Sequence, residues 1–98
     1  MTDENILDVV GRITLECTCD ACPEQYDAFL DGDQVGYLRL RHGYFYASVP
    51  DVGGTVVYEA EPNGDGIFEN DERQFYLNQA KLAIARSLTP ITKDNPNG

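Results

Sequence analysis

Apolar and polar residues alternate along much of residues 12–60, which is the period of half-buried β-strands. In the first such stretch, Ile13, Leu15 and Cys17 alternate with polar neighbours, and this predicts a strand over 12–17. The same pattern predicts four further strands, over 25–30, 34–41, 44–49 and 55–60.

Two helices are predicted at the ends of this β-rich region. A short helix over 1–10 has Thr2 as its N-cap and stops at Gly11. A longer helix starts at Asn70 or Asp71 and runs to about residue 88, with a core stripe of Leu77, Ala80, Ile84 and Leu88. The chain is therefore predicted to be α+β, an antiparallel sheet of about five strands with one C-terminal helix packed on one face. Residues 1–88 form a single domain, and 89–98 are predicted to be a flexible tail.

Two glycine turns set the predicted register of the sheet. Asp31-Gly32-Asp33 is predicted to be a three-residue hairpin loop, and His42-Gly43 a two-residue turn. The second turn places Leu40 opposite Phe45 and Leu38 opposite Ala47, which forms a consistent apolar face.

The opposite face of the predicted sheet combines arginines with aromatic residues. It places Arg41 across from Tyr44 and Arg39 across from Tyr46, and Phe29, Val35 and Tyr37 join them. Arginines interleaved with tyrosines can stack a base and hold a phosphate, so this face could bind a nucleotide-like ligand. The same residue types are common binding hot spots, which favours a protein partner. Cross-strand stabilisation of the sheet is the alternative without function.

Charge narrows the choice of partner. The 98 residues carry a net charge of −10 with a pI near 4.2, a field that repels nucleic acid and anionic membranes and favours basic proteins. No apolar run has the length of a membrane span, and the acidic N-terminus does not resemble a signal peptide. The chain has three cysteines, an odd number that does not suggest a set of disulfides. Together with the lack of a signal peptide pattern, this predicts a reduced, cytoplasmic protein.

The segment 61–72 resembles the calcium loop of EF-hand proteins. That loop has oxygen ligands at positions 1, 3, 5, 9 and 12 and a glycine at position 6. Gly66 and Phe68 suit positions 6 and 8, and the ligand positions hold Glu61, Asn63, Asp65, Glu69 and Glu72. Glutamate at position 1 and a preceding strand depart from the family, and ordinary turn chemistry is the alternative.

Three closely spaced thiols, Cys17, Cys19 and Cys22, could share a zinc ion. A fourth ligand would have to be Asp20 or His42, the one histidine. The alternative is that Cys17 is a core residue and that the other two are thiols of a loop.

A second apolar stripe on the C-terminal helix suggests a further contact surface. Phe75 and Leu82 are seven residues apart, on the side away from the core stripe. They predict either a homodimer or a docking site, unless the N-terminal helix covers them through Ile6, Val9 and Val10.

No nucleophile is paired with a base in the sequence, so we expect a protein that is not an enzyme. The segments Cys22-Pro-Glu-Gln-Tyr-Asp and Gln34-Val-Gly-Tyr-Leu-Arg-Leu-Arg-His-Gly-Tyr-Phe resemble small uncharacterised proteins of tailed bacteriophages. The resemblance covers about half of the chain and implies a phage origin, with the host cytoplasm as the location. It also implies a binding protein, since small acidic phage proteins of this kind often act on a host protein.

Three functional hypotheses follow. The first is an acidic binding protein, such as a phage-encoded inhibitor of a host defence or nucleic-acid-handling protein. The second is a module that sequesters a nucleotide-like ligand on the Arg/Tyr face. The third is a small calcium- or zinc-binding protein in which the metal serves structure.

Overall fold

The computed structural model describes residues 2–20 and 23–88. Its elements follow the order α1 (Thr2–Arg12), β1 (Ile13–Asp20), β2 (Glu24–Leu30), β3 (Asp33–Arg41), β4 (Tyr44–Val49), β5 (Thr55–Ala60) and α2 (Asn70–Leu88). The predicted tail 89–98 lies outside the described residues. The α+β prediction is confirmed, although α1 extends through Gly11 to Arg12 and β1 continues to Asp20.

The five strands form one antiparallel sheet in sequence order, β1-β2-β3-β4-β5. Each strand therefore pairs with its neighbour in the chain, as short hairpin connections require. The His42-Gly43 turn has the predicted register, with Leu40 opposite Phe45 and Leu38 opposite Ala47. Both turn residues have positive φ, 55° and 72°, the conformation of the tightest hairpin turns.

The β2–β3 hairpin has a shorter turn than predicted, but beyond the turn its strands have the pairing that a three-residue loop would give. Leu30 pairs with Asp33, so the loop has two residues, Asp31 and Gly32, rather than three. Both have positive φ, 54° and 92°. A β-bulge in the next step of β3 adds one residue, Val35, and restores the predicted pairing of Ala28 with Gly36. Val35 consequently packs against the core, and its predicted place on the opposite face is wrong.

Both helices cover the same face of the sheet. The buried core combines sheet residues Ile13, Ala28, Leu38, Leu40, Phe45 and Ala47 with helix residues Leu77, Ala80, Ile84 and Ala85. From α1, the side chains of Ile6, Val9 and Val10 pack against this cluster. Leu88 is 39% exposed, so its assignment to the core stripe is wrong, and Ala85 is buried instead. Ile84 and Ala85 are consecutive buried residues of α2.

Candidate functional site

The sheet face opposite the helices is covered by no element of the described chain, and we call it the open face. Strand alternation and register assign side chains to it. These residues are Thr14, Glu16, Gln25, Asp27, Phe29, Tyr37, Arg39, Arg41, Tyr44, Tyr46 and Glu59. Most antiparallel sheets of this kind present a polar face to solvent, so a face with several aromatic side chains is unusual.

Three tyrosines form a continuous row across β3 and β4 on the open face. The ring centroids of Tyr37 and Tyr46 are 6.1 Å apart, and those of Tyr46 and Tyr44 are 5.6 Å apart. Tyr37 is only 9% exposed and donates its hydroxyl proton to Gln25 Oε1 at 2.9 Å. Burial raises the pKa of the Tyr37 hydroxyl, so it stays protonated and keeps this bond. The row is thus buried and fixed at Tyr37, and it is exposed at its other end, where Tyr44 is 40% exposed.

Arg39 lies in the middle of the open face, directly opposite Tyr46 and Gln25 in the neighbouring strands. Its Nε atom is buried and, within the described part of the chain, has no hydrogen-bond partner. A buried donor without an acceptor costs about 1–3 kcal/mol, and native proteins seldom leave one without a reason. The predicted pairing of Arg39 with Tyr46 and of Arg41 with Tyr44 is confirmed, and Arg41 is exposed at the end of β3.

Carboxylates surround the aromatic row. Asp27 lies opposite Tyr37, Glu59 lies opposite Tyr46, and Glu16 extends the face beyond Asp27 toward β1. Desolvation and a hydrogen bond with the Glu59 carboxylate raise the pKa of the Tyr44 hydroxyl. The open face therefore has an aromatic and arginine centre with an acidic rim, the layout of a protein-binding patch.

In the segment 61–72, the last of the predicted calcium ligands, Glu72, is hydrogen-bonded to the segment's own backbone. The carboxylate of Glu72 accepts backbone N–H bonds from Asn63 at 2.8 Å, Gly64 at 2.8 Å and Glu69 at 3.0 Å. These bonds lower its pKa against the desolvation that raises it. Glu72 stands at position 12 of the EF-hand pattern, where its carboxylate would bind the cation. Here the same two oxygens accept backbone N–H bonds. Among residues 2–20 and 23–88, no group of three or more His, Cys, Asp or Glu side chains could hold a metal ion.

Glu72 instead closes the loop and caps α2. Glu69 begins the helix, since its carbonyl accepts the backbone N–H of Glu72 and of Arg73, both at 3.1 Å. The bond from Glu69 N–H to the Glu72 carboxylate is the N3 half of a capping box. Gly64 fits here because a Cβ atom would lie 2.0 Å from the Ile67 carbonyl oxygen. The bonds of Glu72 favour the alternative of turn and capping chemistry over the calcium loop. Of the other predicted ligands, Glu61, Asn63 and Asp65 are exposed.

Below this loop, a buried carboxylate connects it to the sheet. Glu24, at the start of β2, is 2% exposed and accepts hydrogen bonds from Phe68 N–H at 2.8 Å and Arg73 Nε at 2.8 Å. The Tyr26 hydroxyl donates a third bond to it. Backbone bonds from Glu24 N–H to Gly66 O and from Gly43 N–H to Asp65 O hold the rest of the loop. The network serves the fold, since Glu24, Tyr26, Phe68 and Arg73 bond one another and join the sheet, the loop and α2.

The three cysteines are only partly within the described residues, because Cys22 lies outside them. Cys17 is an exposed free thiol and Cys19 is half-buried, with a β-bulge between them in β1. The alternative that placed Cys17 in the core is wrong, since β1 is an edge strand and the bulge ends its regular alternation there. His42, a suggested fourth ligand, is exposed on the β3–β4 turn. Zinc binding stays a prediction.

The two residues of the second apolar stripe on α2, Phe75 and Leu82, differ in their surroundings. Leu82 is half-buried and lines an open groove with Ile6, Leu7 and Arg86, between α1 and α2. Phe75 is 57% exposed and has an edge contact with Tyr76, the ring centroids 5.0 Å apart. The N-terminal helix thus borders Leu82 and leaves Phe75 exposed. The homodimer prediction for this stripe stays a prediction.

Sequence reasoning missed the roles of Glu24, Arg73 and Glu72. The first two meet across 49 residues, and nothing in either local sequence signals the pair. For Glu72, the capping-box signal is incomplete in the sequence, because Glu69 stands where that signal has Ser, Thr, Asp or Asn.

Comparison with known proteins adds no relative. No family model, no curated protein and no solved structure matches the chain. No helix within the described residues has the length and apolar content to cross a membrane.

Proposed function

We propose that this chain is a non-enzymatic binding domain and that its open face holds a protein partner. The observation that carries the proposal is the asymmetry of the sheet, whose helices lie on one side while the other side bears Tyr37, Arg39 and Tyr46 at its centre. Tyrosine and arginine are the residue types that contribute most to protein interfaces. Tyr37 is already fixed by Gln25 and by Tyr46, so little side-chain entropy is lost on binding.

The partner that suits this surface is basic. The acidic rim of Glu16, Asp27 and Glu59 and the net charge of −10 both attract a positive surface over long range. Such steering raises the association rate and is screened by salt. Arg39, half-buried at the centre of this face, would offer the rest of its guanidinium group to an acceptor on the partner.

The specific form of the proposal is a phage-encoded inhibitor acting in the host cytoplasm on a defence or nucleic-acid-handling protein. It rests on the resemblance of residues 22–27 and 34–45 to small tailed-phage proteins and on the acidic surface. Proteins that handle nucleic acid carry basic channels, and an acidic domain can compete for such a channel.

The test uses wild-type protein to capture a partner from a bacterial lysate, followed by affinity measurements with the purified partner. We expect Arg39→Ala and Tyr46→Ala each to weaken binding by about tenfold or more, as hot-spot truncations do. Arg86→Ala is the matched control, because Arg86 lies on α2 on the other side of the sheet. Equal affinities for all three variants would rule out the open face. If the affinity does not fall with added salt, the proposed attraction between the acidic rim and a basic partner is ruled out.

A second function is favoured by Arg39, which lies opposite Tyr46 and whose Nε has no hydrogen-bond partner within the described residues. A nucleotide-like ligand could stack on Tyr46 or Tyr44 and place a phosphate at Arg39. A thermal-shift screen of nucleotides discriminates this function, because a ligand that binds the folded state raises the Tm. A rise in wild-type Tm that is lost in Arg39→Ala supports it, and no rise with any nucleotide argues against it.

A further inference from the structure

The outer edge of β5 borders the open face at Tyr44 and Glu59 and adds a backbone edge to it. β5 is the last strand of the sheet and pairs only with β4 among the described strands. In the two-residue hairpin at His42-Gly43, Arg41 and Tyr44 are the hydrogen-bonded pair nearest the turn. Alternation from that pair makes Phe45–Ala60 and Ala47–Tyr58 the hydrogen-bonded pairs of the next ladder. The backbone N–H and C=O of Glu59 therefore point away from β4.

Two shallow grooves follow this edge and meet at Glu59. One, of about 410 Å³, is lined by Val56, Val57, Tyr58 and Glu59. The other, of about 240 Å³, is lined by Tyr44, Glu59, Ala60 and Glu61. Val56 is 44% exposed beside the first groove. Natural proteins protect free edges, and an edge that keeps an accessible apolar valine is suited to accept another strand.

The charge at this edge selects the strand that would pair with it. Glu59 and Glu61 are two residues apart, so they face the same side of an extended chain, and both line the smaller groove with Tyr44. A second copy would bring two acidic edges together, each in a chain of net charge −10. We infer that the edge of β5 binds an extended basic segment of another protein by strand addition, with lysine or arginine at alternate positions facing Glu59 and Glu61. The inference rests on the free backbone edge of β5, whereas the open-face proposal rests on Tyr37, Arg39 and Tyr46.

The experiment uses a blocked synthetic heptapeptide of alternating lysine and valine, titrated into ¹⁵N-labelled full-length protein. We expect amide shifts concentrated in β5 and slower hydrogen exchange at Glu59. The same peptide N-methylated at every amide keeps its charges and loses its backbone donors, and we expect it not to bind. Glu59→Gln with Glu61→Gln should weaken binding about tenfold, since two cross-strand ion pairs are lost. Asp8→Asn with Asp33→Asn also removes two exposed carboxylates, on α1 and at the β2–β3 hairpin, and is the charge-matched control.

Each alternative has its own outcome. Equal binding of the N-methylated peptide would overturn strand addition, because attraction by charge alone does not need backbone donors. Native mass spectrometry would overturn the inference if it shows a dimer that does not bind the peptide. The occupant of the β5 edge would then be a second copy of the chain. Loss of peptide binding in Arg39→Ala or Tyr46→Ala would overturn the β5 site in favour of the open face. Unchanged binding in those two variants supports the β5 site even if the open-face proposal fails.

Discussion

Arg73 on α2 donates its Nε–H to Glu24 on β2 at 2.8 Å, across 49 residues of the chain. Arg73 also donates to the Phe68 carbonyl at 3.2 Å and to Asn70 Oδ1 at 3.1 Å. The guanidinium group thus links the sheet, the 61–69 loop and the first turn of α2. Because Glu24 is only 2% exposed, its charge depends on this partner.

Replacing Arg73 with methionine should destabilise the protein strongly. The substitution leaves the Glu24 carboxylate buried without its cation, and we expect the free energy of unfolding to fall by about 3–5 kcal/mol. Urea denaturation monitored by circular dichroism measures the loss. Arg12→Met is the matched control, because Arg12 pairs with Asp8 and Asp31 on the surface and should matter far less. A smaller loss for Arg73→Met than for Arg12→Met would contradict the assigned role of the pair.

The same pair should give the protein an acid-sensitive component of stability. Desolvation raises the pKa of Glu24, but hydrogen bonds from Arg73, Tyr26 and the Phe68 N–H outweigh it and lower the pKa below the ordinary 4.5. A lowered folded-state pKa adds stability above pH 4.5 that is lost as pH falls through the folded pKa. The stability difference between wild type and Glu24→Gln should therefore be constant near neutral pH and shrink in acid. A difference that grows as the pH falls would contradict this sign.

Calcium should not stabilise the protein through the 61–72 segment. Three backbone N–H groups already occupy the Glu72 carboxylate, so we expect no change in Tm on adding millimolar calcium. Glu72→Gln should lower the free energy of unfolding by about 1 kcal/mol, since it weakens charge-assisted bonds to the loop and cap. Differential scanning calorimetry with calcium and with chelator checks both. A calcium-dependent rise in Tm that Glu72→Gln removes would restore the calcium loop.

Gly36 and Ile84 should show strong coupling in a double-mutant cycle. A Cβ atom on Gly36 would lie 2.6 Å from Ile84 Cδ1 and 3.2 Å from its Cγ1, where α2 crosses β3. Gly36→Ala should cost about 1–3 kcal/mol, the usual range for overpacking. Ile84→Val removes the Cδ1 atom, so the double variant should cost less than the sum of the single variants. Additive losses in urea denaturation would show that the contact is not the cause.

Arg39→Met should separate stability from binding. The substitution removes a buried donor that lacks a partner and keeps a long apolar stem beside the tyrosines, so the free protein should be as stable as wild type or more so. Binding to the captured partner should still weaken. Arg41→Met, at the exposed end of the same strand, is the control and should change neither stability nor, by more than a few fold, affinity. A loss of stability above about 1 kcal/mol for Arg39→Met would mean that Arg39 serves the fold.

Much of the fold could be predicted because its signals are local. The period of two located the strands, and the bounds of β5 agree with the prediction. The His42-Gly43 turn fixed a register that placed Arg39 opposite Tyr46, and this recovered the centre of the candidate face. The Asp31-Gly32 turn was predicted one residue too long, because the Val35 bulge that restores the pairing has no local signature.

The amino-acid sequence by itself determined the class of fold, the apolar and aromatic sides of the sheet, and the acidic field, since alternation, turn residues and charge act over a few neighbours. Only the tertiary structure decided which side the helices cover, that Arg39 Nε is buried without a partner among the described residues, and that Glu72 accepts N–H bonds from its own loop. It also decided that Glu24 meets Arg73. These depend on the docking of α2 across the sheet, which brings together residues far apart in the chain and sets their exposure to water.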